Sequence, residues 1–257
     1  LNLSPDGHYY LLAARGVAVP VPYQRRWALP ALLGPVPRRW ALLTYASLAL
    51  TPAAAWCYLQ AHTSAPLVGA ALLSALPGVW RCSLRFPVLT DAPAFALSLV
   101  VAALCSTPAW PLAIPLALLL GGTRESAPLF AALWAWSPVP LVGLLAVGWT
   151  HRSAPAAEPW LTRPVATALE LRRRMGLDGM LYVAPWGAAL LGFAGIDWRG
   201  WLTVAVAYAQ LLTAQDTIRL YTWAAPVVIA AAAEQVPLAW LPVALAVTAL
   251  QSWEERV

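Results

Sequence analysis

The sequence predicts an all-α fold: a polytopic integral-membrane helix bundle, with about eight or nine transmembrane or re-entrant helices behind an N-terminal interfacial loop region. Composition is the first reason. Of 257 residues, 61% are apolar and only 11% are charged, and the mean hydropathy is +0.66. A soluble domain carries about a quarter charged residues, so this chain lacks the polar surface to coat a water-soluble globule. A soluble enzyme is therefore excluded. The 15 Trp and 8 Tyr exclude a disordered chain as well. Spacing is the second reason, because apolar runs approach the roughly 20 residues that cross a hydrocarbon core, and polar breaks between them collect the charges.

Residues 1–39 hold no such run, but carry six prolines and Arg15, Arg25, Arg26, Arg38 and Arg39, which predicts an extracytoplasmic loop region with interfacial helices. Within it, Ser4 suits an N-cap, Pro5 the first helical position and Gly16 the stop, so a short helix is expected there. Residues 40–150 form a first transmembrane group: Trp40 to Gln60, Ala65 to Trp80, Asp91 to Thr107, Trp110 to Gly122, and one long segment from Ser126 to Thr150. The shorter runs imply thinning of the bilayer, re-entrance or burial, and Pro115, Pro138 and Pro140 are expected to bend the helices that hold them.

Residues 151–178 are a polar, Arg-rich loop whose VATALELRRRMGL half reads as an amphipathic surface helix. Residues 179–257 form a second transmembrane group with runs at Gly179 to Ile196, Trp198 to Thr213, Leu220 to Val236 and Pro237 to Trp253. Arg152 and the Arg172 to Arg174 run favour a cytoplasmic side for the long loop, although the five Arg of residues 15–39, counted onto the other face, weaken that assignment. Every basic residue is Arg, with no Lys, and Asn occurs once, a bias that points to a GC-rich, bacterial coding sequence. No basic tract suggests nucleic acid. Cys57, Cys82 and Cys105 form no CxxC pair and His8, His62 and His151 lie far apart, so neither a disulfide framework nor a protein-built metal cage is indicated.

Because acidic residues number only 11, and an ionisable group beside apolar spans is costly unless paired or used, their positions carry information. Asp6 falls at a helix N-terminus, where the dipole favours the ionised form and suits a base or cation ligand. Its plainer reading is a residue that starts a helix. Asp91 opens the run DAPAFALSLVVAAL behind Arg81 and Arg85, with Thr90 expected as N-cap; a capping carboxylate with arginines at lipid headgroups is the plainer reading. Glu125 follows Arg124 between two spans. Counting crossings places Asp6, Asp91 and Arg124–Glu125 on one membrane face. Asp216 precedes Arg219 by three residues, which fits either a self-neutralised helical ion pair or an Arg219 phosphate site oriented by Asp216. The count leaves that site on the opposite face, unless the long Ser126 to Thr150 segment crosses twice or a nearby span is re-entrant.

The PDGHYY, VLTDAPA, TRESAPL and DTIRLYTWAAPV segments together resemble bacterial glycosyltransferases of the GT-C superfamily. The resemblance implies transfer of a sugar from a polyprenyl-phosphate-linked donor to a cell-envelope acceptor at the outer face of the cytoplasmic membrane. Members of that superfamily typically have a first transmembrane helix before the acidic loop, and this sequence, which begins at the loop, is expected to lack it. Asp6 would be the catalytic base; Asp91 and Glu125 would position the acceptor, bind a divalent cation or organise the base; Arg81, Arg85, Arg124 and Arg219 would meet the donor phosphate. Two other classes stand beside this one, a multi-pass transporter or flippase for a lipid-linked or small polar substrate and a non-catalytic membrane scaffold. Spans almost free of charge at mid-depth, with no visible repeat, favour an interfacial site over a transport path.

Overall fold

The computed structural model describes residues 3–147, 165–166, 169–170, 184–210 and 222–250. Among these the expected all-α class holds, since α-helices and short 3-10 helices joined by turns account for the regular structure and no β-strand occurs. In chain order the α-helices are α1 (Pro5–Ala14), α2 (Ala28–Leu33), α3 (Pro37–Leu59), α4 (Pro66–Ala75), α5 (Pro77–Arg85) and α6 (Asp91–Cys105). They continue with α7 (Ala113–Thr123), α8 (Ala127–Ala135), α9 (Trp198–Ala209), α10 (Ala225–Gln235) and α11 (Leu241–Ala249).

Proline explains where many of them begin. Pro5, Pro37, Pro66 and Pro77 are the first residues of α1, α3, α4 and α5, and Pro128, Pro226 and Pro242 the second residues of α8, α10 and α11. At those positions the missing N–H would have no helical partner and the fixed φ is already helical. The three prolines expected to bend helices behave the same way. Pro115 lies in the first turn of α7, and Pro138 and Pro140 open the 3-10 helix Val139–Ala146. The run from Ser126, expected as one long segment, is instead two elements. Trp136 takes a left-handed conformation (φ 51°, ψ 43°) that ends α8 before Pro138.

One described helix, α3, is long and apolar enough to cross a membrane by itself. Two bent pairs meet the same criterion jointly: α4 with α5, broken by 41°, and Thr222–Gln235 with Leu238–Ala249, broken by 113°. Both breaks fall at a residue before proline, Leu76 and Val236, held in extended geometry because the proline ring clashes with a helical predecessor. The other expected spans are shorter; α6 has 15 residues and α7 has 11.

The chain divides into two compact units: Leu1–Ala61 with Trp80–Ala156, and His62–Val79 with Ala157–Val257. At the centre of the first unit is α6, packed against α3, α7 and α8. Ala94, Ser98 and Ala102 recur along it at four-residue spacing and are fully buried, a small-residue stripe that permits close helix approach. Polarity on α3 runs opposite to that of a helix on a water-soluble core. Thr44, Ser47 and Thr51 are buried, with Thr44 Oγ1 donating to the Pro87 carbonyl at 2.8 Å and Thr51 Oγ1 to the Ser47 carbonyl at 2.8 Å, while Leu42 (71% exposed) and Leu50 (63%) point outward.

In the second unit, α10 packs on Ala184–Ala194 and α4, and α11 packs on the same two segments. Gly187, at φ +52°, turns the Ala184–Ala194 segment hard against Thr248, whose Oγ1 accepts the Ala188 N–H at 3.1 Å. A β-carbon at that position would approach the Thr248 backbone to 2.6 Å, so both the conformation and the contact require glycine.

Candidate active site at one end of the first unit

α1 is built as its sequence dictates. Ser4 Oγ accepts the Gly7 N–H at 3.1 Å, Pro5 is the first helical residue and Asp6 lies in the first turn. Gly7 sets the helix directly against the segment before α6, where an added β-carbon would come within 2.9 Å of the Val88 carbonyl oxygen. One turn after Asp6, on the same helix face, stands Tyr10, which is buried.

Two aromatic contacts fix what surrounds Asp6. The Tyr23 hydroxyl, delivered by the short 3-10 helix Tyr23–Arg25, donates to Asp6 Oδ1 at 2.6 Å. The Tyr23 ring is stacked on Tyr9 at 4.7 Å between centroids and meets Tyr10 edge-on at 5.4 Å. Tyr10 in turn stacks on Trp40 of α3 at 5.7 Å, and the Trp40 indole N–H donates to the Gly34 carbonyl at 2.9 Å.

From Tyr10 the polar contacts continue into the helix ends. Its hydroxyl accepts from Arg26 Nη1 at 2.5 Å and lies 3.3 Å from Thr90 Oγ1. Arg26 forks onto Glu125, Nε to Oε2 at 2.7 Å and Nη2 to Oε1 at 2.8 Å, a bidentate geometry that makes a strong, directional ion pair. Next to Glu125, Arg124 breaks out of the helix in extended geometry (φ −154°, ψ 122°) at the end of α7 and donates from Nη1 to Asp91 Oδ1. Asp91 and Arg124 are both buried.

Asp6, Asp91 and Glu125, separated by up to 119 residues in sequence (125 − 6), are thus brought to the single end of the unit where α3, α6 and α8 begin and α7 finishes. Four residues that were not singled out as candidates complete the cluster: Tyr10, Tyr23, Arg26 and Thr90. A signal existed for Tyr10, which follows Asp6 by one helical turn. For Tyr23 and Arg26 the sequence offers only a loop rich in Pro and Arg. Thr90 departs from expectation: its backbone is helical, its side chain makes no cap bond, and its hydroxyl faces Tyr10.

The remaining candidates are Arg81, Arg85, Asp216 and Arg219. Arg81 is half-buried and Arg85 exposed, one turn apart on α5, with the Arg85 guanidinium 5.3 Å from the centroid of the Phe86 ring. Asp216 and Arg219 lie outside the described residues.

Protonation follows from these contacts. Burial by itself would raise the Glu125 carboxyl, but the Arg26 charge and hydrogen bonds, with Arg124 adding, outweigh it and lower its pKa to about 2. Glu125 is therefore an ionised partner and a poor proton acceptor near neutral pH. Burial and the neighbouring Asp6 carboxylate push the Tyr23 phenol well above its usual range, so it stays protonated and donates. Asp91 and Glu125 are each neutralised by a guanidinium, whereas Asp6 takes a hydrogen bond from a neutral phenol.

The residues do not suit a divalent cation. Among those described, no three His, Cys, Asp or Glu side chains converge, and Glu125 commits both carboxylate oxygens to Arg26. Comparisons with protein-family models, with curated proteins and with solved structures found no match to this chain.

Proposed function

We propose that the chain is a multi-pass glycosyltransferase of the bacterial cytoplasmic membrane, of GT-C type. It transfers a sugar from a polyprenyl-phosphate-linked donor to a cell-envelope acceptor at the outer membrane face. The observation that carries this reading is the gathering of Asp6, Asp91 and Glu125, the acidic positions of three of the four family-like motifs, into one cluster at the end of apolar helices.

Depth within the bilayer agrees with it. From Trp40, which packs on the cluster, to Tyr58, whose hydroxyl donates to the Trp134 carbonyl at 3.2 Å, α3 advances 18 residues (58 − 40), or about 27 Å at the helical rise. That is close to the roughly 30 Å of a hydrocarbon core, so a bilayer around the outward Leu42 and Leu50 of α3 has the cluster at one surface. An interfacial site suits a lipid-borne donor whose phosphate stays among headgroups. It suits a transport path less, because such paths often carry charged groups at mid-depth.

In the proposed reaction the acceptor hydroxyl oxygen bonds to the anomeric carbon as the carbon–oxygen bond to phosphate breaks, and polyprenyl phosphate leaves with the electron pair. Asp6 takes the acceptor proton from its place in the first turn of α1, while Asp91 and Glu125 are each engaged by an arginine. Tyr23 fixes the Asp6 rotamer. The arginine pairs hold α2, α6, α7 and α8 in register around that base, and Arg81, Arg85, Arg124 and Arg219 remain the candidates for the departing phosphate.

The test is transfer by the purified chain in proteoliposomes supplied with a labelled polyprenyl-phosphate sugar. Wild-type protein is expected to release polyprenyl phosphate, and Asp6→Asn to lose at least about 100-fold in rate, the lower range for a general base. Full transfer by Asp6→Asn would remove Asp6 from the base role; labelled donor moved across the bilayer without cleavage would favour a flippase.

A further inference from the structure

We infer that the end of the first unit bearing the candidate site is also a docking surface for anionic phospholipid headgroups. This rests on the membrane setting proposed above, but not on the transfer reaction. Across residues 1–90 the sequence contains seven arginines and a single acidic residue, Asp6. Arg26 is paired with Glu125 and Arg81 is half-buried, while Arg15, Arg25, Arg38, Arg39 and Arg85 are exposed.

Proximity along the chain to residues of the cluster places four of these five at the same end. Arg25 adjoins Tyr23 and Arg26; Arg38 and Arg39 immediately precede Trp40, which stacks on Tyr10; Arg85 lies two residues before Pro87, whose carbonyl accepts from Thr44 one turn along α3. Exposed apolar side chains alternate with them: Val21, Leu32, Val36 and Leu84. Guanidinium groups interleaved with outward aliphatic side chains match the boundary between phosphate and acyl chain. There each arginine near an anionic surface strengthens association roughly fivefold, and its planar donors fit phosphate oxygens. A lipid surface also gives a physical reason for so many arginines in a stretch of the chain with a single acidic residue. Their partner is lipid phosphate rather than protein carboxylate.

The proposal is tested by lipid retention of the full chain in detergent micelles containing equal phosphatidylglycerol and phosphatidylcholine, with bound lipid counted by native mass spectrometry. Wild-type protein is expected to retain phosphatidylglycerol at least about fivefold over phosphatidylcholine at low salt, a preference that shrinks when about 1 M salt screens it. The variant Arg25→Gln/Arg38→Gln/Arg39→Gln/Arg85→Gln is expected to lose the preference. The matching variant with Lys at those four positions is expected to keep most of it. If the fourfold Gln variant does not fold, Arg38→Gln/Arg39→Gln alone is expected to lose at least half the preference. Equal retention of both lipids by wild type, or an undiminished preference in the Gln variants, would overturn the proposal. So would selection of added polyprenyl phosphate with no selection of phosphatidylglycerol, which would assign the arginines to the donor. Retention is read without turnover, so an inactive protein that still selects phosphatidylglycerol would sink the transferase reading and leave the lipid surface standing.

Discussion

In the second unit the carboxylates of Asp197 and Glu234 are exposed and bind backbone. Asp197 Oδ1 accepts the N–H groups of Arg199 and Gly200 at 3.1 and 3.0 Å, capping α9, while Glu234 Oε1, at the end of α10, accepts the Ser64 N–H at 3.2 Å and the Thr63 hydroxyl at 3.3 Å, so that its partners too are distant in sequence but uncharged. In the first unit Asp91 and Glu125 are instead met by guanidinium groups, Arg124 and Arg26, from 33 and 99 residues away. The difference separates two uses of a rare residue type. A carboxylate such as Asp197, bound to backbone N–H groups of its own helix, completes one helix end and leaves its surroundings free to vary. A buried or partly buried carboxylate fixed by an arginine ties together elements with no sequence proximity, and loss of one partner strands the other charge. The first arrangement is tolerant of change, and the second is not.

The largest expected effect breaks the arginine-paired arrangement on one side. Arg26→Met leaves the Glu125 carboxylate without its cation and removes a donor to Tyr10, and because the pair is partly buried it is expected to destabilise the protein by up to about 3 kcal/mol, the lower bound for halving a fully buried pair. Thermal unfolding followed by tryptophan fluorescence checks it. Replacing both partners, Arg26→Met with Glu125→Leu, is expected to recover at least half of that loss, since no charge is then stranded. A double variant as unstable as the single one would mean that the lost packing, and not the uncompensated charge, sets the cost.

Acid probes the same pair without mutation. Glu125 titrates near 2 in the folded chain against an ordinary 4.5, so its contribution is full above about pH 5 and is lost as the pH falls toward 2. The unfolding midpoint of wild type is expected to drop across that window, and the drop is expected to shrink in the Arg26→Met/Glu125→Leu variant. An equal acid response in both would assign the acid lability to other carboxylates.

How much of this was legible in the sequence depends on the range of the interaction concerned. The α1 cap was readable because Ser4, Pro5 and Gly16 act within a few residues, and the all-α class was readable from apolar runs alone. Asp91 and Glu125 could be marked as unusual because charge beside apolar segments demands a partner, yet which arginine each would meet was not encoded locally. Arg124 adjoins Glu125 in sequence but pairs with Asp91, and Arg26 had read as one more arginine of a loop. The break after α8 was missed for a different reason. Trp136 adopts a left-handed conformation that costs a non-glycine residue about 1 to 2 kcal/mol, so it carries no glycine to announce the turn.

The smallest effect belongs to the tolerant arrangement. Asp197→Ala removes both acceptor contacts at the start of α9 but leaves the N–H groups of Arg199 and Gly200 near an exposed chain segment where water can replace the carboxylate. A loss of about 1 kcal/mol is expected, typical for an N-cap, with Asp197→Ser recovering most of it because a hydroxyl can accept the same bonds. Lipid-linked transfer by Asp197→Ala is expected to stay within about twofold of wild type, given that a lost cap acts on stability and not on the reacting groups. A loss of 3 kcal/mol or more in thermal unfolding, equal to that of Arg26→Met, would show that Asp197 holds more than its own helix. The contrast between backbone-capping and arginine-paired carboxylates would then fail.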